Sequence, residues 1–456
     1  MPSREEIHYF GAGPAALPTT VLERASKALL NYEGLGVGLT EMSHRSAQAN
    51  QILDDSSATL KRLLSVPDSY EILYLQGGGS GEFSAVVYHM VGIWVEWQRR
   101  RLAEDQGLPE DELIQQLRTI VKDHLRLDYI VTGSWSLKAS QEASRLIGSE
   151  YVNVAADARK AETAPEDGSK FGVIPQEHTW QLTQPHTSES LYGPALVYYC
   201  DNETVDGVEF PSFPESLSSC PVVCADMSSN ILSRRVDVGK YGAIFAGMQK
   251  NIGNTGVTVL IVRKSLLPPE SPLASPSLLR QLGLPVGPVV LDWPTIAKNK
   301  SLYNTLPIFD VWIASQVMRD LESQHQHQKV LGQEIVSGRK SAAIYDTLDK
   351  YSNIYRVVPH KDARSRMNIC FRIANGNKLK EEEFLKAAEK RGLMGLKGHR
   401  SVGGIRASNC KIYIFFSLVA PMNVAETQVV DNAISETSVQ KLIEFLEEYA
   451  TSAGKD

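Results

Sequence analysis

The sequence predicts an α/β fold with a mixed, mostly parallel sheet, followed by a smaller α+β unit. Three observations carry that expectation. Short apolar runs alternate with helical ones through the first part of the chain. Several of those runs are apolar on consecutive residues, as strands buried on both faces are. A long helical pattern from about Ile308 to near Tyr351 then separates them from a shorter set of strands and helices.

Taken in order, Pro18-Thr19-Thr20-Val21 followed by Glu23 reads as a helix start with a capping box, running to Gly34. A second helix carries Ile52, Leu53, Leu60, Leu63 and Leu64. Strands are expected at 71–76, 127–131, 150–154, 195–200, 221–225, 243–246 and 258–262. Segment 94–126 reads as an inserted, charged helical hairpin centred on Gly107-Leu108-Pro109, with Arg99-Arg100-Arg101 on a solvated face. Segment 155–179, around Pro165-Glu166-Asp167-Gly168, reads as a surface excursion. Segment 266–288, rich in proline and leucine, reads as a connector suited to covering a neighbouring subunit. The helix from Ile308 joins two domains. Beyond it come strands at 353–358 and 367–373, a helix ending at Gly392, a strand at 411–417, and a last helix with Val439, Leu442, Ile443, Leu446 and Ala450 on one face. The expected division is a large domain at 19–332 and a small one from 1–18 with 333–456.

With 456 residues, 43% of them apolar, the chain exceeds one typical core. A formal charge of -6 argues against nucleic-acid binding by bulk electrostatics, so any anion site must be built from a few placed cations. Five cysteines without framework spacing read as buried free thiols in a reducing compartment, and no zinc pattern is present. The charged start Ser3-Arg4-Glu5-Glu6 lacks an apolar segment behind it, and no run approaches the ~18 residues of a membrane span. The expectation is a cytoplasmic protein without membrane contact.

Lys250 ends a strand-like run, in Ala246-Gly247-Met248-Gln249-Lys250-Asn251. A desolvated ε-amine loses its proton more easily and forms a Schiff base with a carbonyl. Asp226 ends another run, in Val222-Val223-Cys224-Ala225-Asp226. Such a lysine, with an acidic partner for a pyridinium nitrogen, is how a protein holds pyridoxal phosphate. Gln76-Gly77-Gly78-Gly79-Ser80-Gly81-Glu82-Phe83 follows a strand and opens a helix, where close-approaching amides favour an anion. Glu82 and Ser84 stand where a dinucleotide fingerprint needs its third glycine, so a cup for a single phosphate fits better. Trp135 sits at a strand-to-helix turn; alone it reads as core, but beside Lys250 and Asp226 its ring is placed to stack on a pyridine. Thr204 offers a hydroxyl at another strand end, where a turn role is the plainer reading. His44-Arg45 and His399-Arg400 read singly as surface pairs. With Arg406 they imply a substrate bearing more than one anionic group, because guanidinium forks bind phosphate and carboxylate bidentately. His325 and His327 face different ways on a helix and are not a metal pair.

Together these residues resemble the phosphoserine aminotransferases, pyridoxal-phosphate enzymes of fold type I. The resemblance spans nearly the whole chain: Phe10-Gly11-Ala12-Gly13-Pro14, Ser43-His44-Arg45, the Gly77 loop, Asn202-Glu203-Thr204, Ala225-Asp226, Gln249-Lys250-Asn251-Ile252-Gly253, Asn304-Thr305 and the run from Gly395 to Ala407. Ser80, an arginine in some members, Ala12 and the two insertions depart from the pattern. The resemblance implies a seven-stranded mixed sheet in the large domain, and a homodimer with shared active sites. It implies that Lys250 holds the cofactor and shuttles the proton, and that Asp226 faces the ring nitrogen. Trp135 would stack on the ring, with Thr204 near its 3-oxygen or phosphate. Gly79, Ser80 and Gln249 would hold the cofactor phosphate, with Asn304 and Thr305 reaching in from a partner subunit. Arg406 would take the substrate α-carboxylate, and His44, Arg45, His399 and Arg400 the distal phosphate or the glutamate side chain. The implied reaction is ping-pong transfer between glutamate and 3-phosphohydroxypyruvate, giving 2-oxoglutarate and O-phosphoserine for serine biosynthesis; 3-hydroxy-2-oxo-4-phosphonooxybutanoate is a further candidate substrate. Against it stand a serine–glyoxylate aminotransferase, which has no distal phosphate to bind, a cysteine desulfurase, which needs a nucleophilic thiol, and a scaffold, which needs neither Lys250 nor Asp226.

Overall fold

The computed structural model describes residues 2–106, 108–162, 171–184, 192–409 and 435–453. The expected strand at 411–417, Gly107, and Pro165 to Gly168 lie outside the described residues. In chain order come β1 (His8–Tyr9), α1 (Thr19–Leu30), α2 (Ala47–Leu64), β2 (Tyr70–Leu75), α3 (Gly78–Gln106), α4 (Glu110–His124), β3 (Leu127–Val131), α5 (Ser134–Ile147), β4 (Val152–Asp157) and β5 (Leu196–Cys200). The short pair β6 (Asn202–Glu203) and β7 (Val208–Glu209) follows, then β8 (Val223–Asp226), β9 (Ala243–Gly247) and β10 (Thr258–Arg263). Helices α6 (Pro276–Gln281), α7 (Trp293–Lys298), α8 (Ile308–His325) and α9 (Val330–Lys350) lead to β11 (Tyr355–Val357), β12 (Asn368–Ile373), α10 (Lys378–Lys390), β13 (Leu393–Met394), β14 (Ile405–Ser408) and α11 (Glu436–Ala453).

Seven strands form one sheet in the order β2-β10-β9-β8-β5-β3-β4, antiparallel only where β10 meets its two neighbours. Its strands are apolar on both sides because both sides are covered. Val197, Tyr199, Val223, Ala225, Ile244, Ala246, Val259 and Ile261 pack with α1, α2 and α8. The alternate residues Leu196, Tyr198, Cys224, Phe245, Leu260 and Val262 pack with α3, α4 and α5. A third apolar cluster joins Phe10 to α9, α10, α11 and the three-stranded sheet β11-β12-β14. β1 pairs in parallel with β13, which ties the N-terminal segment to this second layer.

Five expectations need correction. Helix α1 stops at Leu30, and its N-cap is Pro18, which has no side-chain donor or acceptor, so no capping box forms. The helical pattern from Ile308 is two helices, broken at Gln326–Gln328, where Gln326 and Lys329 take positive φ. There His325 Nε2 meets Gln333 Oε1 at 3.1 Å, a local bond across the break. The excursion expected at 155–179 begins inside β4, and Phe171, Val173 and Trp180 are buried. The segment 266–288 packs on its own chain: Leu266, Leu267, Ala274, Leu279 and Leu284 join the α3 side of the core, and Ala274 N–H donates to Gly92 O at 3.0 Å. Arg99 and Arg100 are more than a solvated face, since both pair with the buried Glu96 carboxylate.

Candidate active site

The carboxyl ends of β2, β3, β5, β8 and β9 open onto one cavity of about 410 Å³. Ligands in open α/β sheets bind at this edge because the loops that follow the strands diverge there. Gly79, Ser80, Trp135, Thr204, Asp226, Gln249, Lys250, His399 and Arg406 all line it. They are drawn from strand-end loops and, for the last two, from the layer containing β14. Gly77 and Gly78 take φ of +117° and +64° between β2 and α3, a turn open to glycine and strained for other residues.

Lys250 is 9% exposed, and its Nζ donates to Thr204 Oγ1 at 2.5 Å. The same Nζ lies 5.9 Å from the Trp135 ring centroid. The stretch 10–18 crosses this turn: Ala15 N–H donates to Gln249 O at 3.0 Å, and a Cβ on Gly13 would sit 3.1 Å from Lys250 Cγ. Asp226 Oδ1 accepts the Ser228 N–H at 2.8 Å, and Ser228 Oγ accepts the Gly247 N–H at 3.0 Å, which fixes the carboxyl against β9. Burial pushes the Asp226 carboxyl above its usual range, while the Ser228 bonds and the Lys250 charge pull it back. A buried carboxylate of this kind is stabilised by a facing cation.

Trp135 is held by a carboxylate clamp at the N-terminus of α5. Glu203 accepts the Trp135 and Ser136 N–H groups at 2.8 and 2.9 Å and the Ser136 hydroxyl at 2.6 Å, and Asp206 accepts the Ser134 N–H at 2.7 Å. These are the donors a helix start leaves unpaired. Thr204 sits between the two carboxylates in sequence, so the clamp sets the indole relative to the Thr204–Lys250 pair. Arg406 Nη1 donates to Thr204 O at 3.2 Å from the other side. Asn202 ties the same loop to the second layer through Asn368 Oδ1 at 2.8 Å and the Ser365 hydroxyl at 2.6 Å.

His399 is held below its usual pKa by burial and then by the charges of Arg406, Lys138 and Arg400, so three cationic groups surround an imidazole whose charged form is disfavoured. Lys138 Nζ lies 4.2 Å from the Trp135 ring centroid. Cys200 also lines the cavity, but burial, Glu203 and Asp226 push its thiol well above the ordinary range. It is therefore a poor nucleophile.

Arg400, His44, Arg45, Asn304 and Thr305 do not line this cavity. Arg45 Nη2 donates to Leu302 O at 3.4 Å, which brings His44-Arg45 to the loop carrying Asn304 and Thr305. That loop reaches the rim, where Asn304 Nδ2 donates to Gln76 Oε1 at 2.6 Å beside the Gly77 turn. Sequence reasoning missed Lys138, Asp206 and Ser228, and named Asn202 and Glu203 only within the motif around Thr204, without a role. Lys138 had a usable signal, since three residues beyond Trp135 on a helix is the same face.

The model of the class-V aminotransferase family matches residues 7–98 and 136–426. The chain is 39% identical over 454 residues to a phosphoserine aminotransferase of Saccharomyces cerevisiae, covering 98% of each, and 38% identical over 425 residues to that of Drosophila melanogaster, covering 93% of this chain and 96% of that one. Among solved structures it resembles the phosphoserine aminotransferase from Bacillus circulans subsp. alkalophilus, with TM-score 0.73, 32% identity and 98% and 99% of the two chains covered. A second, the PLP-bound phosphoserine aminotransferase from Trichomonas vaginalis, gives TM-score 0.72 at 29% identity over 97% and 99%. Full-length likeness of this order, on a site with a buried lysine and aspartate at adjacent strand ends, leaves one conclusion: the chain belongs to the class-V aminotransferases.

Proposed function

We infer that this chain is a pyridoxal-phosphate-dependent phosphoserine transaminase, exchanging an amino group between glutamate and 3-phosphohydroxypyruvate to give 2-oxoglutarate and O-phosphoserine. The observation that carries the reading is the convergence of Lys250, Thr204, Asp226 and Trp135 on one cavity in a chain with full-length likeness to phosphoserine aminotransferases. The residues present fit the cofactor. The buried Asp226 carboxyl suits a pyridinium nitrogen, the Gly77–Gly79 turn at the start of α3 suits a phosphate, and the Lys250 amine is enclosed beside both. When bound, pyridoxal phosphate supplies an electron-accepting ring through which the amino group is exchanged.

The chain's own groups then divide the work. Lys250, gripped by Thr204, holds the cofactor and carries a proton to and from the substrate carbon. Asp226 keeps the ring nitrogen protonated, because an opposite charge at close range favours the charged form. The Trp135 indole covers the ring and excludes water. Arg406 anchors the α-carboxylate, and His399 with Arg400 faces the distal phosphate, each neutralised in place by a fixed cation. His44, Arg45, Asn304 and Thr305, gathered on the rim, complete the site of a second copy of the chain. Val286, Val289, Val290 and Tyr303, each 38–46% exposed, supply apolar surface to that association. In this reading the large domain spans 19–332, the small domain comprises 1–18 and 333–456, and the enzyme works in the cytoplasm. No helix among the described residues is long and apolar enough to cross a membrane.

Kinetics of two variants test the reading. Charge-assisted hydrogen bonds are worth about 1.5–3 kcal/mol, so losing one costs on the order of tens-fold in kcat/KM. Arg400→Ala should lower kcat/KM for phosphoserine well beyond any loss with serine, and Arg406→Ala should lower it for every amino acid. An equal loss for phosphoserine and serine in Arg400→Ala would place the phosphate elsewhere.

A further inference from the structure

Lys138 stands in the second turn of α5, three residues beyond Trp135 and on the same face of the helix. A lysine on a helix ordinarily pairs with a carboxylate one turn away, and Glu142 occupies that position. Glu142 is engaged elsewhere. It accepts from Arg145 Nε at 2.7 Å and Nη2 at 2.6 Å, and from the Ser84 hydroxyl at 2.6 Å. Lys138 makes no ion pair with a carboxylate among the described residues; its ammonium lies over the Trp135 indole instead, with Nζ 4.2 Å from the ring centroid.

An exposed lysine on an indole is, taken alone, a packing contact of small worth. Its place in the molecule sets this one apart. The indole lines the cofactor cavity and is fixed there by the Glu203 clamp on its amide. The Lys250 ammonium, buried in the cavity, lies 5.9 Å from the same ring centroid, so one ring is addressed by an enclosed cation and by a solvent-exposed one. The Lys138 charge also reaches the mouth. It joins Arg406 and Arg400 in disfavouring the His399 imidazolium, after burial, and with Arg406 it opposes the upward push of burial on Asp206. Lys138 therefore shares its surroundings with Arg406, assigned above to the α-carboxylate, and with His399 and Arg400, assigned to the distal group. The carboxylates beside it, Glu203 and Asp206, already accept the first amides of α5.

We propose that Lys138 is a specificity-determining residue of this site, its ammonium binding the phosphoryl group of a phosphorylated amino acid alongside His399 and Arg400. A lysine presents a compact charge with three donors on a flexible stem, which can swing from the indole face onto a phosphoryl oxygen. Resting over the indole holds the stem at the cavity before substrate arrives, so little ordering is left for the moment of binding. Because the charged form of His399 is disfavoured, the permanent charge that this chain offers a phosphoryl group is supplied by Arg400 and Lys138. The assignment rests on the proposed function and adds to it a cation that selects for phosphate.

The test is the kinetics of the cofactor-loaded protein with O-phosphoserine and with serine, in the wild type, Lys138→Met, Lys138→Arg and Arg400→Ala. Lys138→Met keeps an apolar stem on the indole and removes the charge. It should lower kcat/KM for phosphoserine by roughly tenfold or more, chiefly through KM, while serine stays within about twofold. Lys138→Arg should recover most of that loss. Lys138→Gln carries the same expectation and serves if the methionine variant folds poorly. An equal loss for both amino acids in Lys138→Met, or no recovery in Lys138→Arg, would reduce the lysine to a support for the indole and overturn the proposal. Unchanged phosphoserine kinetics in Lys138→Met, beside a selective loss in Arg400→Ala, would overturn it while leaving the proposed function standing. A wild type that does not prefer phosphoserine to serine would overturn the proposed function, and this assignment with it.

Discussion

The contact between Lys250 Nζ and Thr204 Oγ1 joins residues 46 apart in sequence. Each is legible in the sequence as a polar residue at the end of an apolar run, but nothing in the sequence pairs them. Glu82 was read only as the residue that spoils a dinucleotide fingerprint, and its burial was not foreseen. It is fully buried in the first turns of α3, with neither carboxyl oxygen hydrogen-bonded among the described residues. Burial pushes it up to about 8, opposed by Trp293. Its stabilising effect is therefore complete below the unfolded value near 4.5 and is lost as pH rises through 8. Neighbouring His89, lowered to about 4 by burial, stays neutral in the folded protein while the unfolded chain still binds its proton up to 6.5, so it opposes the Glu82 slope below that pH and leaves the fall above it to Glu82. Glu82→Gln should flatten the fall of denaturation midpoint between pH 5 and pH 9, by on the order of a few kcal/mol at the alkaline end. An unchanged slope would mean that Glu82 is solvated or paired.

At the scale of elements, the strands were legible because burial on both faces leaves continuous apolar runs, and all seven strands of the main sheet lie within a few residues of their expected positions. Ends and breaks were less legible. Pro18 is followed by residues that mimic a capping box, and the α8–α9 pattern stays apolar across Gln326–Gln328, where only the backbone turns. The α5 clamp was illegible for a different reason. Glu203 and Asp206 look like turn carboxylates exposed to water until α5, from an earlier part of the chain, presents its N-terminus to them. Glu203→Ala should leave the Trp135 and Ser136 amides without their acceptor, a loss of about 1–3 kcal/mol per buried donor. It should shift Trp135 fluorescence and lower kcat for phosphoserine and glutamate alike. A loss of stability with unaltered fluorescence and kcat would reduce the clamp to a structural role.

Across the whole molecule, one chain assembles the cofactor-facing part of the site and leaves His44, Arg45, Asn304 and Thr305 on the rim. A homodimer in which those residues serve the facing copy accounts for that separation. Asn304→Ala with Thr305→Ala should then weaken cofactor retention without altering α-carboxylate binding, and sedimentation should give a dimer; a fully active monomer would refute it. The central claim is that the cavity around Lys250 exchanges an amino group selectively with a phosphorylated amino acid. The most direct measurement is the visible absorption of the cofactor-loaded protein in a single half-reaction, mixed in turn with O-phosphoserine and with serine. The account predicts rapid loss of the cofactor's visible band with phosphoserine, a rate lower by tens-fold or more with serine, and no change with either in Lys250→Ala. Equal rates for the two amino acids, or a persisting response in Lys250→Ala, would contradict it.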